Sequence, residues 1–575
     1  MNINHLLKDA LAYAQKGNLA EGKRKLLKID KKYPNHPIVL ANLGLIEIQN
    51  ENYEDAEQYF KRSCEVQFNI GIFKNYIQVL SIRKKWIEII DQINQNKNNE
   101  PDREILLNYA IAFREIGDII KFQFAYENLL KDNPNFENGW ISYGFSLNKY
   151  KLYDKAIQVF KEALIQFPNS FLILYNLGIS YANVYDAKQS VNFLKKASNI
   201  STNSFSLWIT LAAQQAKMRM FSDAKISLDE CKKLEPQNNL ILFQESSIQM
   251  FLGNVDRAEE LLNELILKDP GHIDANYHMG VIKLIKRKYK DAHKFYRYRI
   301  KTNDMPIKFD DFEVDQLDPQ KKILIGWEQG IGDQFLYFRL MQEFLEKYND
   351  ITYIATDKTC SVFKRCYPEI KVISDTFYEK NKASFDDYQK INLASIINYL
   401  PNVEDALLKA RNIRSNNHRQ KDKKIIGLSW RSENKKLGHE KSIDLTDFKP
   451  LLNNKYDFIS LQYGDVQKEI ETLNKSNKTM VYHDKHFDYY NDIEGLLSKI
   501  STCKLVITIS NITVHLAGSL NIPTILLVPK NFGKLWYWHN NENYSKWYPS
   551  VKIIRQSIDR DWVKEISEIQ EIIDS

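Results

Sequence analysis

Over roughly the first 300 residues, apolar side chains recur at helical spacing in paired stretches separated by short polar turns, and the whole pattern repeats every 34 residues. One set of small residues runs Gly144, Gly178, Ala212, Ser246 and Gly280. A second lies twelve residues further on, at Ala156, Ser190, Ala224, Ala258 and Ala292. A third closes each unit with Pro168, Pro236 and Pro270, Thr202 standing in once. The phase extends backwards through Ala10 and Gly44, Gly22 and Ala56, and Pro34 and Pro134, with a slip of two residues between about 65 and 105. The spacing predicts helix hairpins whose two helices cross closely enough to demand a small residue. Trp140, Tyr143, Leu147, Tyr153 and Phe160 fill the space to the next hairpin, and the proline ends the second helix because it has no N–H to donate.

After Lys301 the rhythm changes. A stretch rich in Asp and Pro, residues 301–320, leads into a short apolar strand (323–326), a glycine-bearing turn and a helix. Strands are expected at 351–357, 370–374 and 388–396, followed by a polar, basic linker at 411–424. The pattern then restarts: strand at 425–430, helix at 445–454, strand at 457–462, helix at 492–502, strand at 505–510, short helix at 511–520, strand at 523–529 and a closing helix from Trp562. Two successive α/β units, 321–415 and 424–575, predict twin Rossmann-like halves whose ligands sit at the carboxyl ends of the strands, in the cleft between them.

The 34-residue unit resembles the tetratricopeptide repeat, with about eight or nine units over residues 1–300. The resemblance implies an α-solenoid whose concave face holds a protein or peptide partner. It predicts a partner and no chemistry.

Bulk properties exclude several classes. With 43% hydrophobic, 27% charged and 12% aromatic residues, the chain has the apolar content that a disordered protein lacks. A net charge of +7 over 80 basic and 73 acidic residues, spread along the helices, is not the concentrated stripe of a nucleic-acid binder. Five scattered cysteines form no disulfide framework and no metal-ligand spacing. No window reaches the run of about 18 apolar residues that a membrane span requires, and the amphipathic N-terminus has no signal-peptide core. A reduced, cytoplasmic setting is the expectation.

Chemistry concentrates at two strand-to-helix junctions. In the first, Gly330-Ile331-Gly332-Asp333, the glycines permit a tight turn and close ligand approach. Asp333 at the helix start is either a cap or a general base facing the cleft. In the second, Ser510-Asn511-Ile512-Thr513-Val514-His515-Leu516-Ala517-Gly518, a capped helix start could hold phosphate. Thr513 would add a hydroxyl and His515 an imidazole, and Gly518 would allow close backbone approach or tight packing. No dinucleotide fingerprint, phosphate loop, zinc-protease motif or nucleophile elbow occurs. The His483-to-Asp488 stretch, HDKHFD, reads as a solvated loop, and no metal site is expected.

The second junction, with Leu520-Asn-Ile-Pro-Thr524 after it, resembles the donor-binding segment of the bacterial heptosyltransferase-type glycosyltransferases. The stretch 535–556 is similar to the tail of their repeat-bearing members, and Glu328–Asp333 resembles their Gly-Asp turn. The resemblance covers 320–575 and implies a GT-B fold and an inverting, metal-independent transferase without a cofactor. Its substrates would be a nucleotide-sugar donor and an acceptor hydroxyl. By the same resemblance Asp333 is the catalytic base. Arg431 and Lys441 neutralise the donor diphosphate, and Gln462 contacts its base or ribose; loop solvation for Lys441 and structural hydrogen bonding for Gln462 are the competing readings. Ser510-Asn511 stands where many relatives have Asp-Thr or Asp-Ser, which admits a degenerate transferase serving as a nucleotide-sugar-binding scaffold. A transferase acting on lipopolysaccharide or another glycan is a further alternative, and the repeat-plus-transferase layout is similar to that of protein O-linked N-acetylglucosamine transferases.

Overall fold

The computed structural model describes residues 3–96, 102–301, 305–307, 309, 316–416, 424–434, 438–530, 534–539, 542–558 and 561–574. The expected connector 301–320 and linker 411–424 therefore lie partly outside the described residues. The chain forms two compact units, Met1–Ser227 and Leu228–Ser575.

Among the described residues, nine helix hairpins run from Ile3–Gln15 with Leu19–Lys32 to Ile273–Ile285 with Tyr289–Tyr296. The first helices of successive hairpins begin at Ile3, Pro37, Ile70, Arg103, Glu137, Phe171, Phe205, Asn239 and Ile273. Two of those steps are one residue short, which accounts for the slip in the sequence phase. The turn inside every hairpin holds a left-handed residue: Gly17, Glu51, Lys84, Gly117, Lys151, Tyr185, Arg219, Gly253 and Arg287. This backbone kink ends the first helix and reverses the chain whatever the side chain.

The glycines of the first set face large side chains of the second helix. A Cβ on Gly144 would lie 2.2 Å from Phe160 Cζ, and one on Gly178 would lie 2.7 Å from Leu194 Cγ. Phe160 and Leu194 are fully buried. The close helix crossing thus lets a large side chain of the second helix seat on the bare backbone of the first. Ser190, from the second set, donates its hydroxyl to the Gly178 carbonyl at 2.8 Å.

The boundary between the two units falls within the helix Phe221–Leu234 and not near residue 300, where the repeat pattern stops. The reason is packing: one apolar core runs from Leu284, Ala292 and Tyr296 of the last hairpin to Phe335, Tyr337 and Trp547 of the α/β part. The α/β part holds two sheets. The first contains β1 (Ile323–Gly326), β2 (Ile351–Ala355), β3 (Lys371–Ser374) and β4 (Gln389–Asn392), in the order β3-β2-β1-β4. The second contains β5 (Ile425–Ser429), β6 (Asp457–Ser460), β7 (Val481–Tyr482), β8 (Leu505–Ile509), β9 (Thr524–Val528) and β10 (Val551–Arg555), in the order β10-β9-β8-β5-β6-β7. All pairings are parallel. Numbered from its own first strand, the second sheet runs 3-2-1-4-5-6 and the first runs 3-2-1-4. This is the order of a doubly wound sheet, whose reversal points lie between β1 and β4 and between β5 and β8.

Two sequence expectations are corrected. The segment expected as a helix at 445–454 is a 3-10 turn, Leu445–Leu451, because Pro450 cannot donate to an α-helical ladder. The helix expected after the Gly-Asp turn breaks into Ile331–Phe338 and Met341–Leu345. The strands β7 and β10 were not expected.

Replacing Gly144 by Ala tests the crossing. Helix propensity alone would stabilise by about 1 kcal/mol. The clash with Phe160 reverses the sign, giving a net loss of about 1–3 kcal/mol in urea unfolding followed by far-UV circular dichroism.

Candidate functional site

The Gly-Asp turn follows the carboxyl end of β1. Gly330 is the N-cap of the helix Ile331–Phe338, and its N–H donates to Asp333 Oδ2 at 3.0 Å. Asp333 therefore caps the helix, as one reading held, with a single oxygen. Among the described residues, no residue other than Gly330 donates to the carboxylate, which leaves Oδ1 without an outside donor. Burial raises the Asp333 carboxyl to about 6; the negative charge of Glu328 adds to the rise, while the Gly330 N–H and the Lys441 charge oppose it. A carboxylate tuned to that range can accept a proton near neutrality.

Gly332 brings this turn against the second junction. A Cβ there would lie 2.7 Å from His515 Cδ2, so only glycine lets the helix starts of the two halves meet. At this point the halves are in van der Waals contact, where an open cleft was expected.

The second junction follows the carboxyl end of β8. Asn511 caps the helix Ile512–Ser519 through Oδ1, which accepts from Thr513 N at 3.0 Å. Its Nδ2 donates to Ser429 Oγ at 2.8 Å and to the Arg431 carbonyl at 3.2 Å, tying β8 to β5 across the reversal point. Ser510 Oγ accepts from Trp538 Nε1 at 2.8 Å. Both side chains are thus engaged within the fold. His515, 3% exposed, sits among Tyr537, Trp538 and Tyr548, with Nδ1 3.1 Å from the Tyr548 hydroxyl. Burial, reinforced by the Lys441 charge, depresses it to about 3, so the ring is neutral. Gly518 leaves room for the Tyr548 ring, whose Cγ would lie 2.5 Å from a Cβ. Its smallness serves helix packing. Thr513 differs from these: it is fully buried and its hydroxyl has no hydrogen-bond partner among the described residues.

The remaining candidates divide. Lys441, on the turn Gly438–Lys441, is buried and has neither hydrogen bond nor ion pair among the described residues. Burial lowers its ammonium, and the Asp333 carboxylate opposes that shift, so its charge acts on Asp333 and His515 together. Loop solvation is the wrong account of Lys441. Arg431 is paired with Glu469 and donates to the Asp465 carbonyl at 2.9 Å. Gln462 is fully buried: Oε1 accepts from Ser429 Oγ and the N–H groups of Trp430 and Arg431, while Nε2 donates to the Arg431 and Tyr463 carbonyls. With every polar atom satisfied, it shapes the loop after β5 and has nothing left for a ligand. In the His483–Asp488 stretch, His483 stacks on Tyr489 and Asp484 pairs with Lys499 at 2.9 Å.

One element has no counterpart in the sequence reading. Arg299, just past the last hairpin, is 3% exposed and pairs with Glu328, fully buried in the Gly-Asp turn. Nε reaches Oε2 at 2.7 Å and Nη2 reaches Oε1 at 2.9 Å. Glu328 also accepts from Ala394 N at 2.6 Å, and Arg299 donates to Ser395 at 2.6 Å. Gln329, in a left-handed conformation (φ 61°), donates to the Tyr296 hydroxyl at 3.0 Å. The partners lie far apart in sequence and their types are common, so no local motif marks them.

Comparison with known proteins bears on the repeats. A tetratricopeptide repeat family model matches residues 7–67. The nine hairpins are tetratricopeptide repeats. Protein FlbA of Caulobacter vibrioides is 22% identical over 487 residues, covering 77% of this chain and 79% of FlbA. A match of that extent passes beyond the repeats into the α/β part. Anaphase-promoting complex subunit 3 of Schizosaccharomyces pombe is 21% identical over 261 residues, 44% of this chain and 38% of that protein. The chain thus spans less than two-fifths of that relative. Among solved structures, Pseudomonas aeruginosa pilF aligns with a TM-score of 0.30 at 17% identity over 42% of this chain and 94% of that one. Among the described residues, no helix is long and apolar enough to cross a membrane.

Two predictions test this geometry. Arg299→Met or Glu328→Met alone leaves one buried charge unpaired and costs about 3–5 kcal/mol, whereas the double replacement costs less than either single one; urea titrations of the four proteins measure the coupling. His515 takes a proton in the unfolded chain below about pH 6.5 but resists it in the fold down to about 3. Stability present above pH 6.5 is therefore lost as the pH falls, by about 3 kcal/mol at pH 4 from this ring. His515→Gln flattens that slope in pH-dependent unfolding.

Proposed function

We propose that the α/β part is a glycosyltransferase of twin Rossmann-like, GT-B type, moving a sugar from a nucleotide-sugar donor to an acceptor hydroxyl. The observation that carries the reading is Asp333: a carboxylate raised to about 6, with one oxygen lacking an outside donor, at a helix start held against His515 and within the field of Lys441. In this reading Oδ1 takes the acceptor proton as the hydroxyl attacks the anomeric carbon and the bond to the donor phosphate breaks. Lys441 offsets the negative charge that develops on the departing diphosphate. The Thr513 hydroxyl, lacking a partner among the described residues, donates to a phosphate oxygen, and the helix start behind it adds its dipole. The doubly wound order of both sheets, with each junction at the carboxyl end of a strand, supports the same reading. The repeats would hold the protein that carries the acceptor, or dock the enzyme on a partner.

The non-catalytic scaffold is favoured by different residues. Gln462, Ser510, Asn511 and His515 are all engaged inside the fold, and Arg431 is paired with Glu469. Donor contact by these side chains would need rearrangement, so the catalytic reading rests on Asp333, Lys441 and Thr513.

The test is release of nucleoside diphosphate across a panel of nucleotide sugars, with partner protein present. Turnover rises with pH through about 6 as Asp333 deprotonates, and Asp333→Asn, which keeps the cap to Gly330, lowers it at least about 1000-fold without loss of nucleotide binding. Lys441→Gln lowers turnover about 10- to 100-fold. Binding without turnover on every donor would establish the scaffold.

A further inference from the structure

We infer that a second binding site lies beside β9 and β10, walled by the last two repeat hairpins, and that it takes a small amphipathic anion: an aromatic or branched apolar body bearing one carboxylate, phosphate or sulfonate. The cavity measures about 370 Å³, the size of a small-molecule site. It opens next to Val528 and Arg555, the last residues of β9 and β10, and shares with the second junction the wall formed by Trp538, whose Nε1 donates to Ser510 Oγ.

The walls divide by chemistry. The repeats contribute Met250, Phe251, Tyr277 and Val281, and the segment after β9 contributes Trp536 and Trp538. These give flat aromatic faces and a flexible thioether, which suit an apolar ring. Among the described residues, the charged side chains in the lining are Lys534 and Arg555, with no carboxylate. Glu542, whose charge acts on Arg555, is itself paired with Arg287. Such a wall attracts an anion and disfavours a cation.

His539 marks where the polar end of the ligand belongs. It is 7% exposed, it lines the cavity, and neither ring nitrogen has a hydrogen-bond partner among the described residues. An imidazole buried without partners is costly unless something in the cavity satisfies it. Its position is enforced by the backbone: φ is 35°, and Arg555 Nη2 donates to the carbonyls of both Trp538 and His539. The ring is therefore held at the wall by its main chain while its own nitrogens stay open. A ligand oxygen between His539 and Lys534 would take both donors.

The test uses the full chain and two fluorescent probes of similar shape, anionic 1-anilinonaphthalene-8-sulfonate and uncharged N-phenyl-1-naphthylamine. The sulfonate is expected to bind once per chain, at least about 10-fold tighter than the uncharged probe. Lys534→Gln, at an exposed side chain, weakens the sulfonate about 3- to 10-fold and leaves the uncharged probe unchanged. His539→Asn also weakens it. Met250→Glu brings a like charge to the apolar wall and abolishes sulfonate binding. Equal affinity for the two probes, or sulfonate binding unchanged in Lys534→Gln and His539→Asn proteins that melt like the parent, would overturn the proposal. Should Met250→Glu fail to fold, the other two variants still decide it.

Discussion

The bidentate pair between Arg299 and Glu328 is the contact on which the rest of the second unit turns. Both side chains are taken almost wholly out of water. Such a pair rarely adds net stability, because desolvating two charges costs about what their attraction returns. What it supplies is intolerance of misplacement. A shift of one helical turn in the last hairpin would leave a carboxylate and a guanidinium buried and unmatched. The pair thus fixes where the repeats end and where the Gly-Asp turn begins, and Tyr296 reinforces it by accepting from Gln329.

From that anchor the geometry propagates in one direction. Glu328 sets the entrance to the turn, Gly330 and Gly332 let the backbone pass, and the helix start at Asp333 comes to rest on His515. Each step leaves little slack: the space for a Cβ at Gly332 is already taken by the imidazole. Behind His515, Tyr537, Trp538 and Tyr548 form a solid aromatic support. The position of Asp333 is thus a consequence of packing on both sides, and its raised proton affinity follows from the same burial.

The repeats were legible because one physical demand recurs in eight of the nine hairpins, the third carrying Ile77 at the small-residue position. Where a large side chain must seat on bare backbone, the small residue reappears in step, and even the two one-residue deletions show as a phase slip. Most strands were legible as short apolar runs; β7, two residues long, and β10, buried in an aromatic-rich tail, gave no comparable run. The site was less legible for a specific reason. Residue type and position at a strand end are the same for a ligand-binding group and for one that braces the loop. Gln462 and Asn511 have the right identities in the right places, yet five hydrogen bonds to neighbouring loops consume the first, and the cap and the β5 tie consume the second. Conversely, Lys441 reads as one lysine among many until burial removes its water. Only three-dimensional accounting of donors and acceptors separates these cases.

The same accounting changes how the departure at Ser510-Asn511 should be weighed. In the pair that the resembled family carries, the acid stands at the position of Ser510 and a hydroxyl residue at that of Asn511. Ser510 is 2% exposed and its Oγ accepts from Trp538 Nε1 at 2.8 Å, so an aspartate there could keep that bond only as a buried charge. At 511 a threonine or serine hydroxyl has one proton to give, whereas Asn511 Nδ2 donates to both Ser429 Oγ and the Arg431 carbonyl while Oδ1 accepts from Thr513 N. The departure thus exchanges a buried charge for a neutral tie between the loop after β5 and the helix start after β8, and in the proposed reading the acid–base chemistry falls on Asp333.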